Sequence, residues 1–508
     1  MADKKGTTRC SGKKDMRTDV VRTGRLAADR SGEMMQFLSS MAADRYIANA
    51  DIQVDIAHVL MLQKQKIIGN AAAGKLLKAL LAMHEKGVPE DVFDDRFEDI
   101  HAGIESYLVS EIGAESGGRL HIGRSRNDEV ATCIRIKLRE DMLMQMQGLL
   151  ALRGTLIAIA EKHAETAMPG FTHLQHAQPA TLAHHLLAYE QAFSRDFDRL
   201  TDAYSRVNLC PLGSSAFAST GYPVNRELTA KLLGFDGIVL NTMDAVSTRD
   251  FALEVLSDLA ISMTNISRLC EELVLWSSAF VRFVTLDDAF CSTSSVMPQK
   301  KNPDTAEIMR AKTGSVAGSL LAAITIVKGL PMSYNRDLQE LTPHLWHGMQ
   351  DTGESVRLLS GMLGSATFNT GRMEEEAGRG FSTATDLADA LVITYGIPFR
   401  TAHSIVGRAA RKGSLDVATL EAAAEEVGGG FSPAREGLTQ AQVERALSVT
   451  NSIRNRKAPG GPAPAATRRA IALRRNQLRA AQALHKKRVA GVEKAEETLI
   501  RTARRMVP

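Results

Sequence analysis

The groups that could do chemistry are densest in CSTSSVMPQKKNPDTAEIMR, residues 291–310. Ser294 and Ser295 supply hydroxyls, Lys300 and Lys301 supply ammonium groups, and Asn302 adds an amide. Asn302 has N-cap character, Pro303 suits a first helical position, and Asp304 and Glu307 suit a first turn, so a helix should begin here. The loop would then sit at the positive end of that helix, where anions are favoured. A serine that removes a proton must ionise far below its ordinary range. Lysines and backbone N–H groups are the means at hand for holding the alkoxide. A capped surface loop explains the cap residues by themselves, but not SSVMPQKKNP as a whole.

Two further loops carry similar potential. In GFTHLQHAQPAT, 170–181, Thr172 can donate a hydrogen bond to a carboxylate, and an imidazole such as His173 can hand a proton to a leaving nitrogen. His173, His176, His184 and His185 lie close in sequence, so a metal site is the competing reading. His184 and His185 are adjacent and would face different ways on a helix, so no metal is expected. In GGRLHIGRSRNDEVAT, 117–132, Arg124, Arg126 and Asn127 could fork onto a carboxylate.

Long helices must position these loops. Residues 250–281 hold neither Gly nor Pro, and Leu256, Leu259, Met263, Ile266, Leu269, Leu273 and Trp276 recur at three- and four-residue steps. Phe251, Val255 and Ile261 lie off that stripe, which implies a helix covered on more than one side. Similar patterns run through 131–166, 180–207 and 304–328. Helices of ~25–30 residues span ~40 Å, and burial all round implies that subunits pack their bundles together. Gly, Pro and Ser punctuate the chain at 117–128, 168–181, 210–227 and 291–304, so catalytic groups would collect in loops at bundle ends.

The chain of 508 residues is 44% hydrophobic and 24% charged, an ordinary globular balance with room for two or three domains. Aromatics make up 5% while Met numbers 20, which favours helices over a large sheet. No apolar run approaches the ~18 residues of a membrane span. Residues 1–36 read as a basic, mobile arm without the apolar stretch of a secretory signal. The five cysteines are scattered, without a C-x-x-C, which fits a reducing, cytoplasmic setting with no disulfides and no zinc. Beyond PGGPAP at 459–464, residues 465–508 hold twelve Lys/Arg against three Glu. This basic tail reads as a solvated or subunit-facing helix. Nucleic-acid binding is the disfavoured alternative, because no recognised motif accompanies the charge.

The serine loop resembles the GSSxMPxKxNP signature of the aspartase/fumarase superfamily, with Thr293 where Gly is usual. GGRLHIGRSRND is similar to GGxLHTARSRND, the form this element takes in argininosuccinate lyases, with Ile122 and Gly123 replacing Thr and Ala. PLGSSAFASTGYPVNR at 211–226 resembles PLGSGALAGTGYPxxR, with Ser215 in place of a Gly. NTMDAVSTRDF at 241–251 resembles NSxDAVSxRDF, and KGLPMSYNRDLQE at 328–340 resembles KGLPxxYNxDxQE. FLSSMAADRYIANADIQ, from Phe37, is similar to FNxSxxxDxRLxxxDI, with Leu38 replacing Asn. FSTATDLADALV and GIPFRTAH, within 381–403, resemble the family's third domain, so the likeness runs from about Phe37 to about Gly461.

The resemblance implies a mainly α, three-domain fold of aspartase/fumarase type. After the arm at 1–36 would come an N-terminal helical domain at 37–125, a central long helix bundle at 126–377, and a C-terminal helical domain at 378–508 that includes the tail. Four subunits would combine into a homotetramer core of about twenty helices, with each active site built from three subunits' loops. The implied reaction is reversible cleavage of argininosuccinate to L-arginine and fumarate, a step of arginine biosynthesis. It proceeds by proton abstraction beside a carboxylate and C–N cleavage, with no cofactor, since the carboxylate itself accepts the electrons.

In that scheme Ser294 is the base, and Lys300 and Asn302 steady the doubly charged aci-carboxylate. His173, tuned by Glu307, assists protonation of the departing guanidino nitrogen. The direction in which Ser294 and His173 work stays open. Ser40, Arg126, Asn127, Thr172, Arg249, Tyr334 and Gln339 would contact substrate, the last pair at its arginine-like part. The family's usual Lys three residues beyond the Gln is here Thr342, so one carboxylate contact would fall to His344 or to another chain. One competing reading is a lyase acting on adenylosuccinate, aspartate or malate, which shares the serine loop but not the SRND and YNxDLQE elements. Another is a non-catalytic, crystallin-like role, against which stands the retention of every proposed catalytic residue.

Overall fold

The computed structural model describes residues 32–507. Residues 1–31 of the expected arm, with Cys10, lie outside the described residues, whereas Gly32–Leu38 is a helix. Three longer helices follow, α1 (Ala48–Lys64), α2 (Asn70–Lys86) and α3 (Ile100–Ile112). α1 is buried almost all round, through Ile52, Val54, Ile56, Val59 and Leu62.

Five long helices form the centre: α4 (Arg126–Lys162), α5 (Leu182–Val207), α6 (Asp250–Ser277), α7 (Asp304–Val327) and α8 (Leu341–Ser365). The first four match the apolar periodicities to within a few residues, apart from the start and end of α4. Side-chain pairs fix their directions. Arg153 meets Glu190 at 2.9 Å, and Arg135 donates to the carbonyl of Arg206 at 2.7 Å, so α4 and α5 are antiparallel. Asn265 with Asp196 and Arg206 with Glu254 make α5 and α6 antiparallel. Glu271 with Arg310, and Met263 with Thr313, do the same for α6 and α7. α8 runs alongside α4 in the same direction: Val356 lies against Gly148, and Ser360 bonds Thr155 at 3.1 Å.

Apolar contact drives this packing. The predicted α6 stripe from Leu256 to Trp276 is buried, as are Phe251 and Val255 from outside it, each such side chain contributing roughly 1.5–3 kcal/mol. α7 differs. It carries no charge from Thr313 to Val327, yet Ile308, Leu321 and Ile324 are 58%, 66% and 43% exposed. Gly314 and Gly318 on the same helix face open space. By mean hydropathy α4 contains one window that would pass for a membrane span, though it is not an uninterrupted apolar run. A fraction of 56% of that window is buried in the protein, as befits a bundle helix.

Among the described residues strands occur only as two-residue pairs, so the fold is mainly α. Two of them are hairpins, Phe171–Thr172 with Gln175–His176 and Ser292–Thr293 with Lys301–Asn302. A smaller unit has its own core: Leu387 and Leu391 of α9 (Ala384–Tyr395), Ile405 of α10 (Phe399–Arg411), Leu420 of α11 (Val417–Val427) and Val443 of α12 (Gln440–Leu447). Left-handed Gly396 ends α9, and Pro398 follows. The basic tail is α13 (Pro464–Arg504), opened by proline at its first position. Its Ile471, Leu478, Leu499 and Ala503 join the main core, not the small unit's. Arg474 reaches buried Glu190, and Arg475 and Arg504 pair with Glu161 and Glu85. The tail thus spends part of its charge on its own chain. Cys133, Cys210, Cys270 and Cys291 are free thiols, the first three buried.

Candidate active site

The alternating helix directions sort the loops. The N-termini of α4, α6 and α8 share one end of the bundle, and those of α5 and α7 share the other. At the first end a cavity of about 200 Å³ is lined by Ser40, Arg126, Asn127, Arg249, Tyr334 and Gln339, six of the residues expected to hold substrate. Arg126 is the first residue of α4, Arg249 the N-cap of α6, and Thr342 lies in the first turn of α8. Three positive helix ends therefore converge on the cavity, which suits an anion.

Most of its polar groups are already paired. Arg126 meets Asp99 at 2.8 Å, Ser40 Oγ donates to Asp44 at 2.6 Å, and Asn127 donates to the Ala216 carbonyl at 3.0 Å. Gln339 donates to the Leu38 carbonyl at 3.3 Å, and Arg336 binds both that carbonyl and Glu98. Arg249 is different: it is 2% exposed and donates only to the carbonyls of Val246 and Thr248, with no carboxylate partner among the described residues. Burial lowers its pKa to about 10, so it stays charged at neutral pH. Burial raises Asp44 to about 6, against the opposing charge of His101 and the Ser40 hydrogen bond.

Beneath the cavity lies a buried ionic network. Burial pulls His101 down, but Asp51 at 2.8 Å and Glu129 at 3.7 Å outweigh it and hold the imidazole up at about 10. Arg124 pairs with Asp55 at 2.6 Å and Glu129 at 2.7 Å, and its side chain is 2% exposed. The expected fork of Arg124 onto substrate is therefore corrected: buried carboxylates claim it, and removing either partner would strand a buried charge. The SRND element has a second role. Ser125 caps α4, and its own N–H donates to Asp128, a capping box. The other Asp128 oxygen accepts from the amides of Gly213 and Ser215, at 2.9 and 2.8 Å. Ser215 sits at φ 54°, a left-handed conformation in keeping with the glycine of the pattern that this segment resembles.

The remaining expected residues stand at the opposite end. Thr172 and His173 are exposed on the 171–176 hairpin. His173 and Leu174 form its two-residue turn, both with positive φ, 54° and 57°, the twist a tight hairpin demands. Ser294 opens the loop of the second hairpin. Its Oγ accepts from the amides of Val296 at 3.2 Å and Met297 at 3.0 Å. Lys300 and Glu307 are exposed, and Lys300 makes no ion pair among the described residues. Lys301, by contrast, is tied to Asp288 and to the Leu286 carbonyl. Asn302 is not the helix cap. α7 starts at Asp304, and Asn302 pairs in the strand with Ser292, whose hydroxyl bonds Asp304.

One chain cannot unite the two sets. α7 has 24 residues and is therefore about 36 Å long; Ser294 precedes it, and Tyr334 follows it. His344 does not line the cavity, whereas Thr342 does, its hydroxyl donating to the Gln339 carbonyl at 2.7 Å. Asp44, Glu98, Asp99, His101 and Arg336 also line it and escape sequence reasoning. Only Asp44 carries a signal, as the Asp of the FNxSxxxDxRL pattern. The other histidines diverge: His176 goes to Glu376, His184 to the Gly460 carbonyl, and His185 to Glu272.

Comparison with known proteins adds the following. The family described as Lyase matches residues 24–318, and that described as Argininosuccinate lyase C-terminal matches 381–454. The argininosuccinate lyase of Methanoculleus marisnigri is 61% identical over 490 residues, 96% of this chain and 99% of that protein. That of Methanospirillum hungatei JF-1 is 59% identical over 463 residues, 91% of this chain and 94% of that protein. Among solved structures, EDDS lyase in complex with formate superposes with a TM-score of 0.85 at 29% identity, over 95% of this chain and 97% of that one. The class II fumarase of Schistosoma mansoni, with a TM-score of 0.68 at 15% identity over 80% of this chain and 90% of that one, shares the fold.

Proposed function

The chain belongs to the argininosuccinate lyase family, and we propose on that premise that it catalyses the reversible elimination of argininosuccinate to L-arginine and fumarate. The observation that carries the mechanism is the Ser294 hydroxyl, whose oxygen accepts two amide N–H bonds. Such donors stabilise an alkoxide, and an alkoxide can take the proton from carbon beside a carboxylate. The product is a doubly charged aci-carboxylate, which Lys300 and Asn302 on the same loop steady. As the C–N bond breaks, the electron pair forms the fumarate double bond. His173 protonates the leaving guanidino nitrogen, with Glu307 raising its basicity.

Arg249, buried, charged and without a carboxylate partner among the described residues, suits a substrate carboxylate. Tyr334 and Gln339 take the arginine-like part, Ser40, Arg126 and Asn127 complete the cavity, and Thr172 meets a carboxylate from the hairpin side. A complete site then needs the cavity of one subunit and the hairpins of others, in a homotetramer. The uncharged α7 face around Gly314 and Gly318 supports close packing of copies.

The test is fumarate absorbance with argininosuccinate, adenylosuccinate, aspartate, malate and EDDS supplied in turn. Turnover of argininosuccinate is expected. Its absence, beside good turnover of another, rejects the substrate assignment.

A further inference from the structure

We propose that His176 and Glu376 form a strap that holds the Thr172–His173 turn in place, making His176 a positioning residue; the proposal rests on the assignment of that turn to the active site. The hairpin has two paired residues on each side, too few to be stable alone. Its turn places His173 and Leu174 in the left-handed region without a glycine, a conformation that L side chains disfavour. Such a conformation persists only where the surroundings impose it.

Among the described residues, residues 171–176 make one polar side-chain contact with another element: His176 Nε2 lies 3.3 Å from Glu376 Oε2. Glu376 is a rigid anchor, 7% exposed on the Thr370–Ala377 helix. Its Oε1 takes Arg372 at 2.5 Å and Arg379 at 2.9 Å, which leaves Oε2 for the imidazole. Glu375 occupies the outer nitrogens of the same two arginines, so neither arginine competes for Oε2. Gly380, at φ 64°, lies so close that an added Cβ would sit 3.2 Å from the His176 Cβ. Phe171, opposite His176 in the hairpin, tilts against its ring at 5.1 Å. His176 stands three positions along the chain from His173, at most ~10 Å. Loss of the anchor therefore moves the turn itself.

The assembled enzyme would be followed by hydrogen–deuterium exchange of the hairpin amides, together with kcat and KM for argininosuccinate. In His176→Gln, exchange over 171–177 accelerates and kcat falls about 10–100-fold while KM stays within about threefold, the signature of a misplaced catalytic group. His176→Arg, which again offers an N–H donor to Glu376, restores slow exchange and kcat, and adding Glu376→Gln abolishes that rescue. Wild-type exchange in both His176→Gln and Glu376→Gln overturns the strap. The underlying assignment is tested apart: His173→Ala with wild-type turnover removes the turn from the active site, whatever the exchange data give.

Discussion

At the end of the bundle where α4, α6 and α8 begin, the expected site residues are sunk in a cavity and mostly paired; where α5 and α7 begin, they stand on two small hairpins in the open. The first end carries Arg249 at 2% exposure, and the second carries Val296 at 83% and Leu174 at 76%. The cavity is shaped within one chain by helix ends, a buried ionic network and a capping box. The hairpins hold the proposed reacting groups in defined backbone conformations, with few of the described residues over them. In the proposed scheme, recognition is organised within one chain, and the chemical groups meet a substrate only where another copy supplies the cavity.

Substitutions at the two ends should separate these roles. The largest effect is expected from Ser294→Ala: turnover falls by ~10³-fold or more, while calorimetry finds substrate affinity within a few-fold and the unfolding midpoint unchanged. Retained turnover would take the base role from Ser294. Next comes Gly314→Leu on the open face of α7. Sedimentation should report a smaller species, with turnover down at least ~10-fold, because a bulky side chain blocks close approach of copies. A fully active single chain would break the shared-site scheme.

A subtler test mixes two inactive variants, Ser294→Ala and Arg249→Met, after dissociation and reassembly. If each site draws its hairpins and its cavity from different chains, about a quarter of sites regain both wild-type parts by random assortment. No recovery, with mixed oligomers present, contradicts the division. The smallest effect belongs to Asp44→Asn. Burial raises native Asp44 from 3.8 to about 6, so its protonated form contributes stability fully below the unfolded value, and that contribution fades as pH rises through about 6. The variant lacks this loss. Its urea stability relative to the parent should improve by about 2–3 kcal/mol between pH 4 and 7. A pH-independent difference would mean that Asp44 titrates normally.

The long apolar stripes made α5, α6 and α7 legible to within a few residues, because a buried helix face must repeat every three or four positions. α8 is hidden by Pro343 and by glycines at 348, 353, 361 and 364, which weaken the pattern while close helix packing keeps the helix. Asn302 has the right chemistry for a cap, yet strand pairing with Ser292 claimed it. Arg124 and Arg126 look alike in RSRND, and only burial separates the structural one from the cavity one. The tail's positive charge is plain in the sequence, but not its return along the bundle. That depends on acidic partners more than two hundred residues away.

Residue order alone determined the family, the serine loop with its hydroxyl and neighbouring amides, and the rods that carry them. Only the packed chain decided that the groups proposed to bind and the groups proposed to react lie at opposite ends of those rods. A helix fixes the distance between its two flanking loops at about 1.5 Å per residue, and the up-and-down packing of neighbours, set by contacts distant in sequence, determines which loops share an end.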